Sequence, residues 1–363
     1  MKIIQGLMLM LLLLFNGTSH ILAETLENEP LSLLTLKGDF RLRYQSEKNS
    51  EGVHRIRNRS RIRLGGLRVL CSQSKVKFGL ATGGADPRST NQTFQDSFQT
   101  PDIRLDYAFF SHAFSSRMEV FGGKMKNPLW RPSDLLWDSD INPEGLGIRV
   151  YHQARQIKYA ITGGYFVLDE LKSSAKDPYL LVIQPRADWM LGDSLQGRVA
   201  LGLYLSRYLK GVSLDHSADT NSGASSGLEN EFSSMVYSAQ VDFKGRWGVP
   251  LMRAFGEMVI NNHLQRDHQG LIVGVQVGDQ KVNRIGKWQS KVSYRRLEAD
   301  AWLDTFPDSD SYGGATNVAG LEWGLNYGFS DTMVLGIDYY SMDKIEGEKD
   351  PQVLVQVDLN VKF

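Results

Sequence analysis

The chain has 363 residues, with 41 Lys and Arg against 41 Asp and Glu, so its formal net charge is +0 at pH 7. That balance gives no case for nucleic acid as a partner, and the single cysteine, Cys71, excludes an internal disulfide. The mean hydropathy is −0.29, and no long apolar segment follows residue 23, so periodicity has to decide between a soluble fold and a membrane barrel.

The N-terminus reads as a targeting segment. Lys2 supplies a positive start, an apolar run over 3–15 is broken only by Gln5 and Gly6, and a polar stretch leads to Ile21, Leu22 and Ala23. This is the pattern of a secretory signal peptide over 1–23, cut after Ala23. Its apolar run is too short for a spanning helix, which needs roughly 20 residues. The expected division is then a signal at 1–23, a periplasmic segment at 24–33 and one folded unit at 34–363.

Leu36, Phe40, Leu42 and Tyr44 alternate with Lys37, Asp39, Arg41 and Arg43. Next comes the most unusual stretch of the chain, in which Arg55, Arg57, Arg59, Arg61 and Arg63 recur at period two, with Ile56, Ile62 and Leu64 on the opposite parity. On a strand all five arginines share one face. A guanidinium aimed at hydrocarbon costs about 2–4 kcal/mol, so the row is expected to face a lumen. With Arg41 and Arg43 it forms a two-strand basic wall. Acids such as Asp39, Asp106 and Glu119 are available to neutralise it.

Further along, Ile103, Leu105, Tyr107 and Phe109 alternate with Arg104, Asp106 and Ala108. Similar alternation places Leu195, Val199, Leu201, Leu203 and Leu205 on one face, and the same holds for Trp288, Val292 and Tyr294, and for Leu321, Trp323, Leu325 and Tyr327. In the final strand Val353, Val355, Val357, Leu359, Val361 and Phe363 oppose Gln356, Asp358, Asn360 and Lys362, with Leu354 out of pattern. Period two throughout predicts an all-β chain.

Short gaps (71–74, 115–116, 154–155, 191–194, 330–331) alternate with long polar ones (83–102, 126–144, 209–230, 299–317). The reading is a transmembrane antiparallel up-and-down β-barrel of about sixteen strands, with short periplasmic turns and long extracellular loops. A sandwich or propeller would put charge in turns rather than on one face of nearly every strand, and no fixed-period repeat is present. The segments 178–190 and 270–286 give the weakest strand signals. Trp189, Trp247, Phe329 and Phe363 fall near turns, where interfacial aromatics are expected.

Segment 126–144 carries three prolines and its own apolar anchors, so it reads as a folded loop. Its notable residues are Trp130, Arg131, Asp134, Trp137, Asp138, Asp140 and, at its end, Glu144. Asp138, Asp140 and Glu144 lack the full calcium-loop spacing, so no metal or cofactor is expected. The His residues form no metal pair and no nucleophile elbow or P-loop is present, so no catalytic residue is assigned.

The terminal strand ending on Phe363 resembles those of bacterial outer-membrane proteins, which implies recognition by the barrel-assembly machinery. A wider resemblance is to the bacterial putative porin family. Its carriers are Gly38-Asp39-Phe40-Arg41-Leu42-Arg43, the Arg-rich second strand, 81–93 (Ala-Thr-Gly-Gly-Ala-Asp-Pro-Arg-Ser-Thr-Asn-Gln-Thr), 122–128 (Gly-Gly-Lys-Met-Lys-Asn-Pro) and 137–145 (Trp-Asp-Ser-Asp-Ile-Asn-Pro-Glu-Gly). The resemblance implies a pore in the Gram-negative outer membrane, in contact with its lipid, passing small hydrophilic solutes or ions. In general porins the loop at this ordinal position folds inward, which sets Asp134, Asp138, Asp140 and Glu144 against the Arg wall; packing on the rim is the alternative. Sixteen-stranded porins are typically trimers, which implies a homotrimer.

Three functions stay open on the sequence. One is a passive channel, biased toward anions by Arg41, Arg43, Arg55, Arg57, Arg59, Arg61 and Arg63. Another is an adhesin or receptor barrel binding a partner through loops 83–102, 209–230 and 299–317. The third is a barrel enzyme, for which only scattered His residues speak.

Overall fold

The computed structural model describes residues 34–49, 52–246 and 248–363. The expected signal at 1–23, the segment 24–33 and Trp247 lie outside the described residues.

Among the described residues there are seventeen strands. The first group is β1 (Thr35–Lys48), β2 (His54–Val69), β3 (Ser74–Thr82), β4 (Gln92–Thr93), β5 (Ile103–Ser115) and β6 (Met118–Lys124). Next come β7 (Glu144–Ala154), β8 (Ile157–Val167), β9 (Tyr179–Leu191), β10 (Leu195–Arg207), β11 (Ser233–Arg246) and β12 (Val249–Asn261). The last are β13 (Gln269–Gly278), β14 (Trp288–Leu297), β15 (Val318–Gly328), β16 (Met333–Lys344) and β17 (Gln352–Lys362). Sixteen build the wall, each antiparallel to its chain neighbours, while β4 pairs only with Arg59 and Ser60 of β2. β1 returns to β17, with Arg43 opposite Asp358, and closes the sheet. Closure satisfies every strand edge, which a bilayer demands. No described helix is long and apolar enough to cross a membrane, which says nothing of a β-barrel.

One end carries short turns, such as 116–117 and 155–156, and the other carries the long loops 83–102, 125–143, 208–232 and 298–317. The weakly signalled segments form β9 and β13. Solvent exposure is inverted relative to a soluble protein. Leu42, Ile56, Val273 and Leu321 are 41, 52, 47 and 53% exposed on the outside, whereas Gln45, Gln184, Ser206 and Gln356 are buried inside. Phe329 and Phe363 stand exposed by the short-turn end, as interfacial aromatics do.

One alternation detail differs from the sequence reading, and the out-of-pattern Leu354 finds its reason. In β5 the register to β3 slips between Gly79, opposite Tyr107, and Leu80, opposite Leu105. The extra residue, Asp106, inverts the parity after it, so Tyr107 and Phe109 face the lumen and not the lipid. The Tyr107 ring lies where Gly79 leaves room, since a Cβ there would sit 2.2 Å from the ring. Leu354 faces inward because it packs with Ala315, Val318, Tyr340 and Met342 beneath a loop that enters the barrel.

The apolar core therefore sits inside the barrel. Inward residues of β8 to β14, among them Leu180, Val182, Tyr204, Val236 and Ile272, form an apolar wall. Against it pack Leu135, Leu136 and Trp137 of one loop and Ala301 and Trp302 of another.

Candidate functional site

The basic wall forms as its periodicity dictates. The β1–β2 register sets Arg41 opposite Arg61, Arg43 opposite Arg59 and Asp39 opposite Arg63. Like charges facing each other across a strand pair repel, and the structure supplies carboxylates from three directions. Arg43, 6% exposed, makes a two-pronged contact with Asp358 of β17 at 2.8 and 2.9 Å and reaches Asp310 at 3.1 Å. Arg41 lies 3.4 Å from Asp358. Asp39 accepts from Arg61 at 2.8 Å and from Arg63 at 2.9 Å, and Glu47 pairs with Arg57 at 2.7 Å.

Arg59 differs from its neighbours. It donates to Gln45 Oε1, Ser89 Oγ and the Asn91 carbonyl. Among the described residues no carboxylate forms an ion pair with Arg59 or with exposed Arg55. The wall is thus ion-paired at 41, 43, 57, 61 and 63 and without an ion pair at 55 and 59, where Asp310 acts on Arg59 from beyond ion-pair distance. Of the neutralising acids named from sequence, Asp39 acts on the wall, whereas Asp106 pairs with Lys126 and Glu119 lies 4.0 Å from Arg149.

Loop 125–143 turns into the barrel rather than lying on the rim. Trp130 is fixed to β9 by a reciprocal pair with Gln184, both bonds 2.8 Å, and Arg198 lies over its ring at 5.2 Å. Arg131 donates to the carbonyls of Trp137 and Asp138, locking the loop's own turn. Trp137 stacks on Phe306 at 4.8 Å.

The acids of this loop do not all meet the wall as expected. Asp140 reaches Arg63 at 3.2 Å and Thr90 Oγ1 at 3.0 Å. Asp134 instead pairs with Arg295 of β14 at 2.6 Å. Asp138 is turned into the protein, accepting from the backbone N–H of Asp140 and of Ser309, both 2.9 Å. Glu144 is the first residue of β7, outside the loop, and pairs with Lys124 at 2.7 Å; strand pairing captures it. The calcium grouping of Asp138, Asp140 and Glu144 is therefore not assembled.

Sequence reasoning missed a second inward segment. Loop 298–317, expected outside, folds in beside the first. Trp302 is fully buried, donates from Nε1 to the Leu136 carbonyl at 2.7 Å and meets Tyr204 edge-on at 5.3 Å. This loop, through Asp310, delivers the carboxylate that touches Arg43. The available signal was the cluster Ala301, Trp302, Leu303 and Phe306, the same kind of internal anchor that marked the first loop.

Loops 83–102 and 208–232 are tied to it. Asp304 accepts from Ser217, Thr220 and Asn221, while Asn221 Nδ2 donates to the carbonyls of Ala299 and Trp302. Arg88 donates to the carbonyls of Asp304 and Gly313.

Electrostatics within the loop pair are uneven. Burial pushes the Asp138 carboxyl up to about 7, outweighing its two N–H donors. Asp308 is pushed well up by burial and by nearby Asp134 and Asp310. For Asp134 burial acts upward but Arg295 and Lys291 prevail and hold it at about 2. Arg43 likewise keeps Asp310 below the ordinary range despite burial.

Below the loops a cavity of about 1140 Å³ occupies the short-turn end. Arg41, Arg61 and Arg63 stand in its lining, with Asp39 and Asp106 its acidic side chains. The arrangement as a whole is a closed, polar-lined barrel, narrowed by two loops, with a charged wall facing acidic loop edges. Such a geometry selects by size and charge.

Among known proteins, the profile of the family described as “Putative porin” matches residues 48–240 and 215–363. No curated protein matches the chain. The fold is similar to that of OprB of Pseudomonas putida, at 11% identity and a TM-score of 0.60, covering 91% of this chain and 94% of that one. The outer membrane channel DcaP of Acinetobacter baumannii aligns at 13% identity and TM-score 0.51, covering 91% and 97%. A triple mutant of the Rhodopseudomonas blastica porin aligns at 12% identity and TM-score 0.51, covering 91% and 100%. At these identities the likeness is one of fold.

Proposed function

The chain belongs to the putative porin family of outer-membrane channels of Gram-negative bacteria, and from that premise we propose that it passes small hydrophilic solutes by passive diffusion, with a preference for anions. The observation that carries the preference is the Arg wall, whose members Arg55 and Arg59 make no ion pair among the described residues. Fixed positive charge beside a low-dielectric wall raises the local concentration of anions and repels cations. No bond is made or broken. The two inward loops supply the size limit, and the wall supplies the bias.

The same reading takes residues 1–23 as a cleaved export signal, 24–33 as a periplasmic segment and 34–363 as the barrel. It takes the strand ending at Phe363 as the sequence read by the assembly machinery, and three copies as the working unit.

A receptor or adhesin role has one observation in its favour. On loop 83–102, Phe94 and Phe98 are 59% and 102% exposed. Against it, loop 298–317, which sequence made available to a partner, enters the barrel and ties down loop 208–232 through Asp304 and Asn221.

Planar-bilayer conductance of the refolded mature chain under a salt gradient tests the proposal. Ohmic steps with an anion-leaning reversal potential are expected. A folded barrel that passes no current overturns the channel reading and directs attention to loop 83–102.

A further inference from the structure

The cavity at the short-turn end is more basic than the Arg wall alone makes it. Besides the three arginines it is lined by Lys37, Lys77, Lys126, Lys281 and Lys362, so eight cationic side chains face two acidic ones. The arginines are held by Asp39, Asp140 and Asp358, and Lys126 is held by Asp106 at 3.0 Å. Lys77 rests over the Phe109 ring at 5.5 Å. Lys37, Lys281 and Lys362 are exposed and have no carboxylate partner among the described residues. They come from three separate places: the start of β1, the connection 279–287 and the end of β17. Closure of the barrel is what brings them to one mouth.

We propose that this chamber is a saturable binding site for compact polyvalent anions of the phosphate type, reached from the periplasmic side. Lysine ammonium groups on flexible stems adapt to differently placed oxygens, where a rigid guanidinium fork would demand one geometry. The chamber exceeds the roughly 300–1,000 Å³ typical of a pocket that encloses its ligand. An anion there is therefore held by charge and not by fit. A monovalent ion meets one or two of these groups at a time and leaves, whereas a polyvalent one bridges several. Retention of this kind is weak enough to release the solute, as conduction requires, and is strongly screened by salt. The sidedness rests on the channel reading; the binding does not.

The test titrates the refolded full-length barrel with inorganic pyrophosphate by calorimetry in detergent, and in parallel adds pyrophosphate to either side of a bilayer-inserted channel. The matching variant is Lys37→Gln, Lys281→Gln and Lys362→Gln combined; these side chains are exposed and unpaired, so folding is not at stake. Saturable binding is expected, weakened about tenfold in the triple variant and again on going from about 0.1 M to 1 M salt. Current block is expected from the short-turn side at lower pyrophosphate concentration than from the loop side. Binding that is absent, or unchanged in the triple variant, overturns the site. A barrel that binds pyrophosphate but carries no current keeps the site and defeats the channel. One that conducts yet ignores pyrophosphate does the reverse.

Discussion

Arg57 and Arg59 lie two residues apart on one face of β2, yet their surroundings differ. Glu47 is 2.7 Å from Arg57, so that position adds little net charge to the lumen. Arg59 has only neutral hydrogen-bond acceptors in Gln45, Ser89 and Asn91 and feels Asp310 only from beyond ion-pair distance, so more of its charge is left to act on passing ions. Arg59→Gln is therefore expected to lower anion-over-cation selectivity by about twofold or more, while Arg57→Gln, which frees Glu47, shifts it further toward cations without a gain in conductance. Reversal potentials under a fixed salt gradient separate the two. Equal values for Arg59→Gln and the parent would place Arg59 away from the narrowest point. The row itself was legible at period two. Which of its members keep their charge was not, because the neutralising Asp310 and Asp358 lie more than 200 residues away and arrive through a loop and a barrel seam.

The two inward loops act as one element, joined by the Asp138 N–H to Phe306 carbonyl bond at 2.7 Å and the Trp302 contact to Leu136. Asp138 carries a pH dependence for that joint. Burial raises its carboxyl from 3.8 to about 7, so the latched state holds a proton that the released loop gives up. The stabilisation is complete below pH 3.8 and is lost as pH rises through about 7. Asp308, also raised, acts in the same direction, while Asp134, held at about 2, weakens the latch only in strong acid. Channel current noise from loop release is expected to grow between about pH 4 and 7. In Asp138→Asn, which has no proton to lose, the growth is expected to shrink to the share Asp308 leaves. An identical rise in both proteins would remove Asp138 from the account.

At the scale of the molecule, the barrel wall and its filling are held by different forces. The wall is a closed hydrogen-bonded ladder with apolar side chains toward lipid. The filling is an aromatic cluster of Trp137, Trp302, Phe306 and Tyr204 laid against the inner face of β8 to β14. Removing a buried Trp from such a cluster costs about 3–5 kcal/mol, and here that loss falls on the loops. Trp302→Ala is expected to raise single-channel conductance and expose loop 298–317 to protease, while the barrel keeps its heat-modifiable migration on gels. Unchanged conductance would mean that the loop does not narrow the pathway.

The period-two alternation by itself determined an all-β closed barrel, its short-turn and long-loop ends, and the inward direction of Arg41, Arg43 and Arg55 to Arg63. Alternation is local, and a bilayer penalises any other facing of charge, so the pattern suffices for those features. The tertiary structure alone decided which loops fill the lumen, why Leu354 turns inward, how the Asp106 bulge re-aims Tyr107 and Phe109, and how Lys37, Lys281 and Lys362 meet at one mouth. Each of these depends on contacts between segments far apart in the chain, made adjacent only when β1 closes on β17 and the loops find an apolar inner wall to bury against.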